Sequence, residues 1–153
     1  MILIERIALP VPGFEQLKAE ARAEGYNLMN TLAEEWARGS NRFDAPGEIL
    51  CGHADGGLVV AVGGINVDPY AGRAEVGRIR RIYVRPSWRN RGIGRALVSA
   101  LIEEARGNFD YLHLRAENPT AIRLYESMGF TAIVDPAATH ILPLGERNPE
   151  KSV

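Results

Sequence analysis

The stretch Arg89-Asn90-Arg91-Gly92-Ile93-Gly94, which follows the apolar run Ile82-Tyr83-Val84 and opens a helical pattern, decides the reading of this chain. A glycine-rich turn feeding a helix leaves several backbone N–H groups unpaired and aimed at one point, where the positive end of the helix dipole also lies. Such a point attracts an anion and suits a pyrophosphate. Gly92 and Gly94 lack a Cβ and let phosphate oxygens approach the backbone, while Arg89, Arg91 and Arg95 offer guanidinium groups that bind phosphate bidentately. Alone, a Gly-x-Gly before a helix is more often a tight turn than a phosphate site. No Gly-Lys-Ser/Thr follows, which excludes a P-loop. Arg95 to Leu97 stand where a dinucleotide fingerprint would need its third glycine.

Working outward, the helix from Gly92 sets Ile93, Leu97, Leu101 and Ala105 on one stripe, widened by Val98 and Ile102, a face made to pack on a sheet. Before it, Glu48 to His53 and Leu58 to Val67 read as two strands about Asp55-Gly56-Gly57. Glu75 to Val84 reads as a third antiparallel strand after the turn Asp68-Pro69-Tyr70-Ala71-Gly72. Its alternation breaks between Arg80 and Arg81, the mark of a bulge. Ile2 to Leu9 reads as a first strand closed by Pro10-Val11-Pro12-Gly13, and helical composition follows over Phe14 to Ala23 and Asn27 to Ala37. Downstream, Tyr111 to Arg115 is a short strand, and strand, helix, strand order predicts a right-handed parallel crossover into it. Asn118-Pro119 supplies an N-cap and a first helical residue, and Gly129 ends that helix. Thr131 to Val134 and His140 to Leu144 are short final strands. Residues 1–145 are expected to form a single domain, and 146–153 a mobile polar tail.

The 153 residues, 46% of them hydrophobic, are enough for one full core without staples. A net charge of −1 gives no reason to expect nucleic acid or a membrane as partner. The basic residues are local: Arg73, Arg78, Arg80, Arg81, Arg85, Arg89, Arg91 and Arg95 stand against Glu75 alone, a patch suited to a small anionic ligand. Cys51 is the single cysteine, which excludes an internal disulfide and a cysteine-only zinc site. The first residues lack a signal peptide's basic and apolar regions, and no apolar run approaches about 18 residues. A soluble, cytoplasmic protein is the expectation.

Two blocks then carry a resemblance, together with the order of elements over most of the chain. Arg89-Asn90-Arg91-Gly92-Ile93-Gly94 with its flanks is similar to the motif Arg/Gln-x-x-Gly-x-Gly/Ala of the GNAT N-acetyltransferase superfamily. Asn118-Pro119-Thr120-Ala121-Ile122-Arg123-Leu124-Tyr125-Glu126-Ser127-Met128-Gly129-Phe130 resembles its later block, Asn-x-x-Ala-x-x-Leu-Tyr-x-x-x-Gly-Phe. The resemblance implies an α/β fold: a mixed, twisted sheet of about seven strands with flanking helices, whose parallel central strands splay apart. It implies acetyl-CoA as co-substrate, no metal, and a primary amine as acceptor. The pantetheine arm would meet the splayed edge at Ile82, Tyr83 and Val84. The pyrophosphate would lie on the N–H groups of Arg89, Asn90, Arg91, Gly92, Ile93, Gly94 and Arg95. Asn118 would reach toward the arm near the thioester, although capping alone accounts equally well for this asparagine. Tyr125 matches the tyrosine that protonates the departing thiolate; its plain alternative is packing of the helix on the sheet.

Acyl transfer needs a neutral amine, a polarised carbonyl and a proton for the thiolate. A base is hard to find in the sequence. Many members of the superfamily carry a glutamate six residues before the position of Val84, and here that residue is Arg78. Glu34, Glu35, Asp68 and Glu75 could act through water, but each reads more simply as a solvated surface carboxylate, and ordered water is the default. Arg78 and Arg80 share a strand face if no bulge intervenes. They would select an acceptor bearing a carboxylate or phosphate, unless they pair with Glu75 or face solvent. A small-molecule acceptor leads. A protein or peptide acceptor, held in a groove shaped by Glu24 to Leu28, and a non-catalytic acyl-CoA-binding regulatory module are the alternatives. The edge His140 to Leu144 could pair across a two-fold axis into a homodimer.

Overall fold

The computed structural model describes residues 1–145; the tail expected over 146–153 lies outside them. The strands are β1 (Glu5–Arg6), β2 (Ile49–Asp55), β3 (Leu58–Val67), β4 (Val76–Val84), β5 (Tyr111–Leu114), β6 (Thr131–Ala132) and β7 (His140–Pro143), and the helices are α1 (Phe14–Ala23), α2 (Leu28–Arg38), α3 (Ile93–Ala105) and α4 (Pro119–Ser127). The strands form one seven-stranded sheet in the order β1-β2-β3-β4-β5-β7-β6. β4 and β5 are parallel, with α3 as their crossover, and the other neighbouring pairs are antiparallel. The mixed sheet with helices on both faces is the fold that the resemblance implies.

Periodicity explains the two faces. α3 buries Ile93, Leu97, Val98, Leu101, Ile102 and Ala105, and this stripe packs with Ile65, Ile79 and Leu112 of the sheet. Each Ile, Leu or Val of this stripe removed from water contributes about 2 kcal/mol. α1 and α2 cover the opposite face through Phe14, Leu17, Ala21, Met29 and Leu32, packed on Val59, Val62 and Tyr83.

The bulge lies where the alternation breaks. Val62 pairs with Tyr83 but Gly64 pairs with Arg80, so β4 carries one extra residue there. Arg81 absorbs it with φ 62°. As a result Ile79, Ile82 and Val84 all pack toward α3, while Tyr83 turns to the α1/α2 side. Arg78 and Arg80 precede the bulge, opposite Asn66 and Gly64, and do share a face.

Two expectations need correction. The first strand, expected over Ile2 to Leu9, is reduced to Glu5–Arg6, because it is an edge with a single neighbour and prolines at 10 and 12 cannot donate to a ladder. The segment His140 to Leu144 is not the free edge expected. β7 is flanked by β5 and β6, and β6 covers His140 and Ile141, so only Leu142 and Pro143 of β7 keep an unpaired side, a short ground for a homodimer.

Candidate active site

The turn before α3 has a backbone geometry that suits an anion. Asn90 and Gly92 are both left-handed, with φ 62° and 82°, and alternation of this kind points successive N–H groups into one concavity. α3 has no side-chain cap. Among the described residues the N–H groups of Asn90, Arg91, Gly92, Ile93, Gly94 and Arg95 make no hydrogen bond, and the first helical bond is that of Ala96 to Gly92. A Cβ on Gly94 would meet nothing nearer than Leu124 at 3.8 Å and Val84 at 3.9 Å, so the space over the helix end is open. Unpaired donors, an aligned helix dipole and open space fit a pyrophosphate. The N–H of Arg89 does not join them, since it bonds to Pro86 O.

Beside the cradle the sheet opens. β4 and β5 pair over three rows only, ending at Arg78 opposite His113. β4 continues to Val84, paired with β3 alone, so its backbone groups on the β5 side lack a ladder partner. Ile82, Tyr83 and Val84 lie on this stretch. The side chain of Tyr83, however, is buried against α1 and α2, and its hydroxyl donates to Glu24; burial, followed by that carboxylate, raises its pKa above the ordinary phenol value.

α4 places the second block over the gap. Asn118 is its N-cap, with Oδ1 accepting from the N–H groups of Thr120 at 2.8 Å and Ala121 at 3.4 Å. Tyr125 is 7% exposed in the core cluster on the α3 side, edge-on to Phe130 with centroids 5.7 Å apart. Burial pushes its phenol up to about 12, and its hydroxyl makes no hydrogen bond with any described residue. Tyr125 is therefore a neutral donor at neutral pH. The lone cysteine, Cys51, is buried on β2, and burial pushes its thiol up to about 11, which leaves it a poor nucleophile.

The arginine patch is largely neutralised by acidic residues distant in sequence. Arg85 forms a two-pronged pair with Glu20, Arg89 another with Glu24, and Arg81 binds Glu35 at 2.9 Å. Hydrogen bonds from these arginines hold Glu20 and Glu24 below the usual carboxylate range. Arg89 thus turns its whole guanidinium to Glu24 and to Val84 O. Arg95 is turned to Ser127, at 2.7 Å. Of the three arginines expected around the phosphates, Arg91 alone has no ion pair or hydrogen bond among the described residues.

On the α2 face of the opening, Arg78 is buried: it is 3.7 Å from Asp68, donates to Ala137 O and lies over the Tyr70 ring. Glu75 pairs instead with Arg73. Arg80 is half-buried, its contact to Asn66 Oδ1 being 3.4 Å, with no carboxylate in ion-pair range among the described residues. Burial, with Arg81 as the second cause, lowers its pKa. Asp68, expected as a solvated carboxylate, is 3% exposed instead. It accepts from Tyr70 N–H and lies 2.9 Å from Nδ1 of His113, a residue that sequence reasoning passed over. Glu35 is likewise committed to Arg81, and neither carboxylate is a free surface group.

Comparison with known proteins agrees with this geometry. The model of the acetyltransferase (GNAT) family matches residues 14–130. The chain is 39% identical over 71 residues to N-alpha-acetyltransferase RimI of Mycobacterium tuberculosis, covering 42% of this chain and 45% of that protein. The matches to the first curated relatives span from 20% to 45% of those proteins' lengths. A solved structure from Exiguobacterium sp. 255-15, described as an acetyltransferase, superposes with a TM-score of 0.83 at 30% identity, over 94% of this chain and 93% of that one. That of yncA from Salmonella typhimurium, with its cofactor acetyl-CoA, superposes with a TM-score of 0.65 at 20% identity over 95% of both chains, a likeness of fold. With its cradle, its splayed central strands and a family match that runs from α1 to the end of the second block, this chain belongs to the GNAT acetyltransferase family.

Proposed function

We propose that the chain transfers an acetyl group from acetyl-CoA to the primary amine of a small molecule that also carries a carboxylate or phosphate, by direct attack and without a covalent enzyme intermediate. The observation that carries this reading is the run of unpaired N–H groups from Asn90 to Arg95 beside the unpaired edge of β4. The buried and half-buried stretch Ile82 to Val84 needs backbone partners, the largely exposed cradle keeps its N–H groups available to an anion, and a pantetheine arm continuing from a pyrophosphate suits both sets. The residues holding it would be Ile82, Tyr83 and Val84 through their backbone, Asn90 to Arg95 through their N–H groups, and Arg91 through its side chain. Asn118 has its Oδ1 committed to capping and would contribute its amide N–H groups only. When bound, acetyl-CoA supplies an electrophilic thioester and a thiolate leaving group.

Tyr125 holds the proton that the sulfur needs. Its raised pKa makes full transfer uphill from a reference thiol near ~8.5, but the same buried setting penalises the thiolate too, so a strong hydrogen bond at Oη is its contribution. Because that hydroxyl has no partner among the described residues, Tyr125→Phe is expected to leave thermal stability and acetyl-CoA affinity unchanged and to lower kcat about 100-fold. Calorimetric titration beside a thiol-release assay separates these; equal kcat would refute the role.

Arg80 carries the acceptor's anion. Three guanidinium groups, those of Arg78, Arg80 and Arg81, face two carboxylates, Asp68 and Glu35, and the uncompensated charge is on Arg80. The helices α1 and α2 are tied to β4 and the turn after it by Glu35–Arg81, Glu20–Arg85 and Glu24–Arg89, which supports a closed pocket over an open groove. Arg80→Met is expected to raise KM for anionic amines by about 10- to 100-fold, the value of one charge-assisted pair, and to leave neutral amines unaffected. Equal losses for both would overturn the assignment. The RimI likeness motivates a second reading, a peptide N-terminus as acceptor, and turnover on peptides but on no small amine would favour it. The single buried cysteine is compatible with a cytoplasmic setting.

A further inference from the structure

We propose that His113 is the general base of the reaction, with Asp68 as the residue that positions it; the proposal rests on the acetyl-transfer reading above. His113 stands opposite Arg78 in the last paired row before β4 and β5 part. It shares the α2 face with Arg78 and Arg80, whereas Tyr125 packs in the cluster on the α3 face. The opening between the strands is thus flanked by a proton acceptor on one side of the sheet and a proton donor on the other.

The tautomer follows from the partners. Asp68 Oδ2 lies 2.9 Å from His113 Nδ1, and a carboxylate can only accept, so Nδ1 carries the hydrogen of a neutral ring. Nε2 is then left with its lone pair and makes no hydrogen bond with any described residue, although the side chain is only 13% exposed. Asp68 is itself fixed, with Oδ1 on the Tyr70 N–H and Arg78 Nη1 at 3.7 Å. Arg78 is held in turn by Ala137 O and the Tyr70 ring. The other groups around the ring do not compete: its β7 neighbour is Ile141, and Asp135 in the loop before β7 accepts from the N–H groups of Ala137 and Ala138. The charged groups in play are Asp68, Arg78 and, two residues along β4, Arg80. The remaining histidines offer nothing similar. Both ring nitrogens of His140 are engaged, by Thr139 and Glu126, and His53 lies on β2, with β3 and β4 between it and β5.

In the transfer, the amine nitrogen forms its bond to the acetyl carbon and gives its surplus proton to Nε2. The C–S bond breaks, and the sulfur keeps the electron pair as a thiolate held by the hydrogen bond from Tyr125 Oη. The imidazolium, opposite Asp68, returns its proton to water, and the thiolate takes one from the same source, leaving an amide, a thiol and the enzyme as it began. An imidazole set by a carboxylate is the standard arrangement for such proton transfer.

Two measurements test this. Long-range proton–nitrogen NMR of the wild-type protein is expected to find neutral His113 protonated on Nδ1; a proton on Nε2 would overturn the proposal without any variant. Thiol-release kinetics with a reactive amine is expected to show His113→Gln reduced about 100-fold in kcat, with the acid limb of the pH–kcat/KM profile lost and acetyl-CoA affinity retained. Imidazole added to His113→Ala is expected to restore part of the rate. Asp68→Asn is expected to lower kcat with acetyl-CoA affinity retained, because the amide can turn its own N–H groups to Nδ1 and hold the ring in the wrong tautomer. An acid limb unchanged in His113→Gln assigns the deprotonation to water and overturns the role. Tight acetyl-CoA binding with no turnover on any amine or peptide refutes the activity itself, and the base with it.

Discussion

Gly94→Glu is expected to abolish acetyl-CoA binding while leaving the fold as stable as before or slightly more so. The added side chain meets open space, with Leu124 and Val84 at ordinary contact distance. A carboxylate in the first turn of α3 favours the helix through its dipole by about 0.3–1 kcal/mol, and replacing a helical glycine adds a similar amount. Thermal unfolding is therefore expected to rise by about 2 °C. The same negative charge sits in the proposed phosphate site, and opposing like charges costs several kcal/mol. A loss of about 3 kcal/mol weakens binding at least ~100-fold. Opposite signs in Tm and in affinity distinguish a ligand site from a structural turn. If calorimetry showed Gly94→Glu binding acetyl-CoA like the wild type, the cradle would not hold the pyrophosphate. Gly92 is a poorer choice for this test, because its φ of 82° makes any side chain strained there.

Asp68→Ala is expected to be the most destabilising of these substitutions. It removes the counter-charge of Arg78, whose side chain is 7% exposed and whose Nη1 has no hydrogen-bond partner. Removing one member of a buried pair costs about 3–5 kcal/mol, because the other charge stays buried alone. For a domain of this size, Tm is expected to fall by about 10 °C. The double variant Asp68→Ala/Arg78→Met is expected to recover most of that loss, since an apolar pair of similar volume removes the orphaned charge rather than exposing it. Scanning calorimetry on the single and double variants measures both. A double variant no more stable than Asp68→Ala would mean that the loss arises from the turn, where Asp68 also accepts the Tyr70 N–H, and not from the ion pair.

These two sites differ in how legible they were. The cradle and the second block could be read residue by residue, because their conformations are local. A left-handed residue at Gly92, an Asn-Pro pair opening α4 and a 3.6-residue stripe along α3 depend on sterics within a few positions of the chain. Even the bulge at Arg81 left a trace, in alternation that fails over Arg80 and Arg81. The acceptor side of the site left almost none. Asp68 sits in a Pro- and Gly-containing turn that reads as solvated surface, and His113 in a four-residue strand too short to carry a pattern. Only two unusual residues meeting in one place could have marked the pair.

By itself the sequence determined the two blocks, the order of elements, the burial stripe of α3 and the family to which these belong, because each is written in periodicity, capping and backbone conformation over short spans. The tertiary structure alone decided which arginines remain free. Arg81, Arg85 and Arg89 meet their carboxylates 46 and 65 positions away, and His113 meets Asp68 45 positions away. A cluster of cations along the chain therefore says little about the field at the site until the helices that neutralise it are in place. It likewise decided that β7 lies inside the sheet, since a strand becomes an edge or an interior member only when its neighbours arrive. Charge compensation and strand neighbours are relations through space, and short-range chemistry along the chain does not contain them.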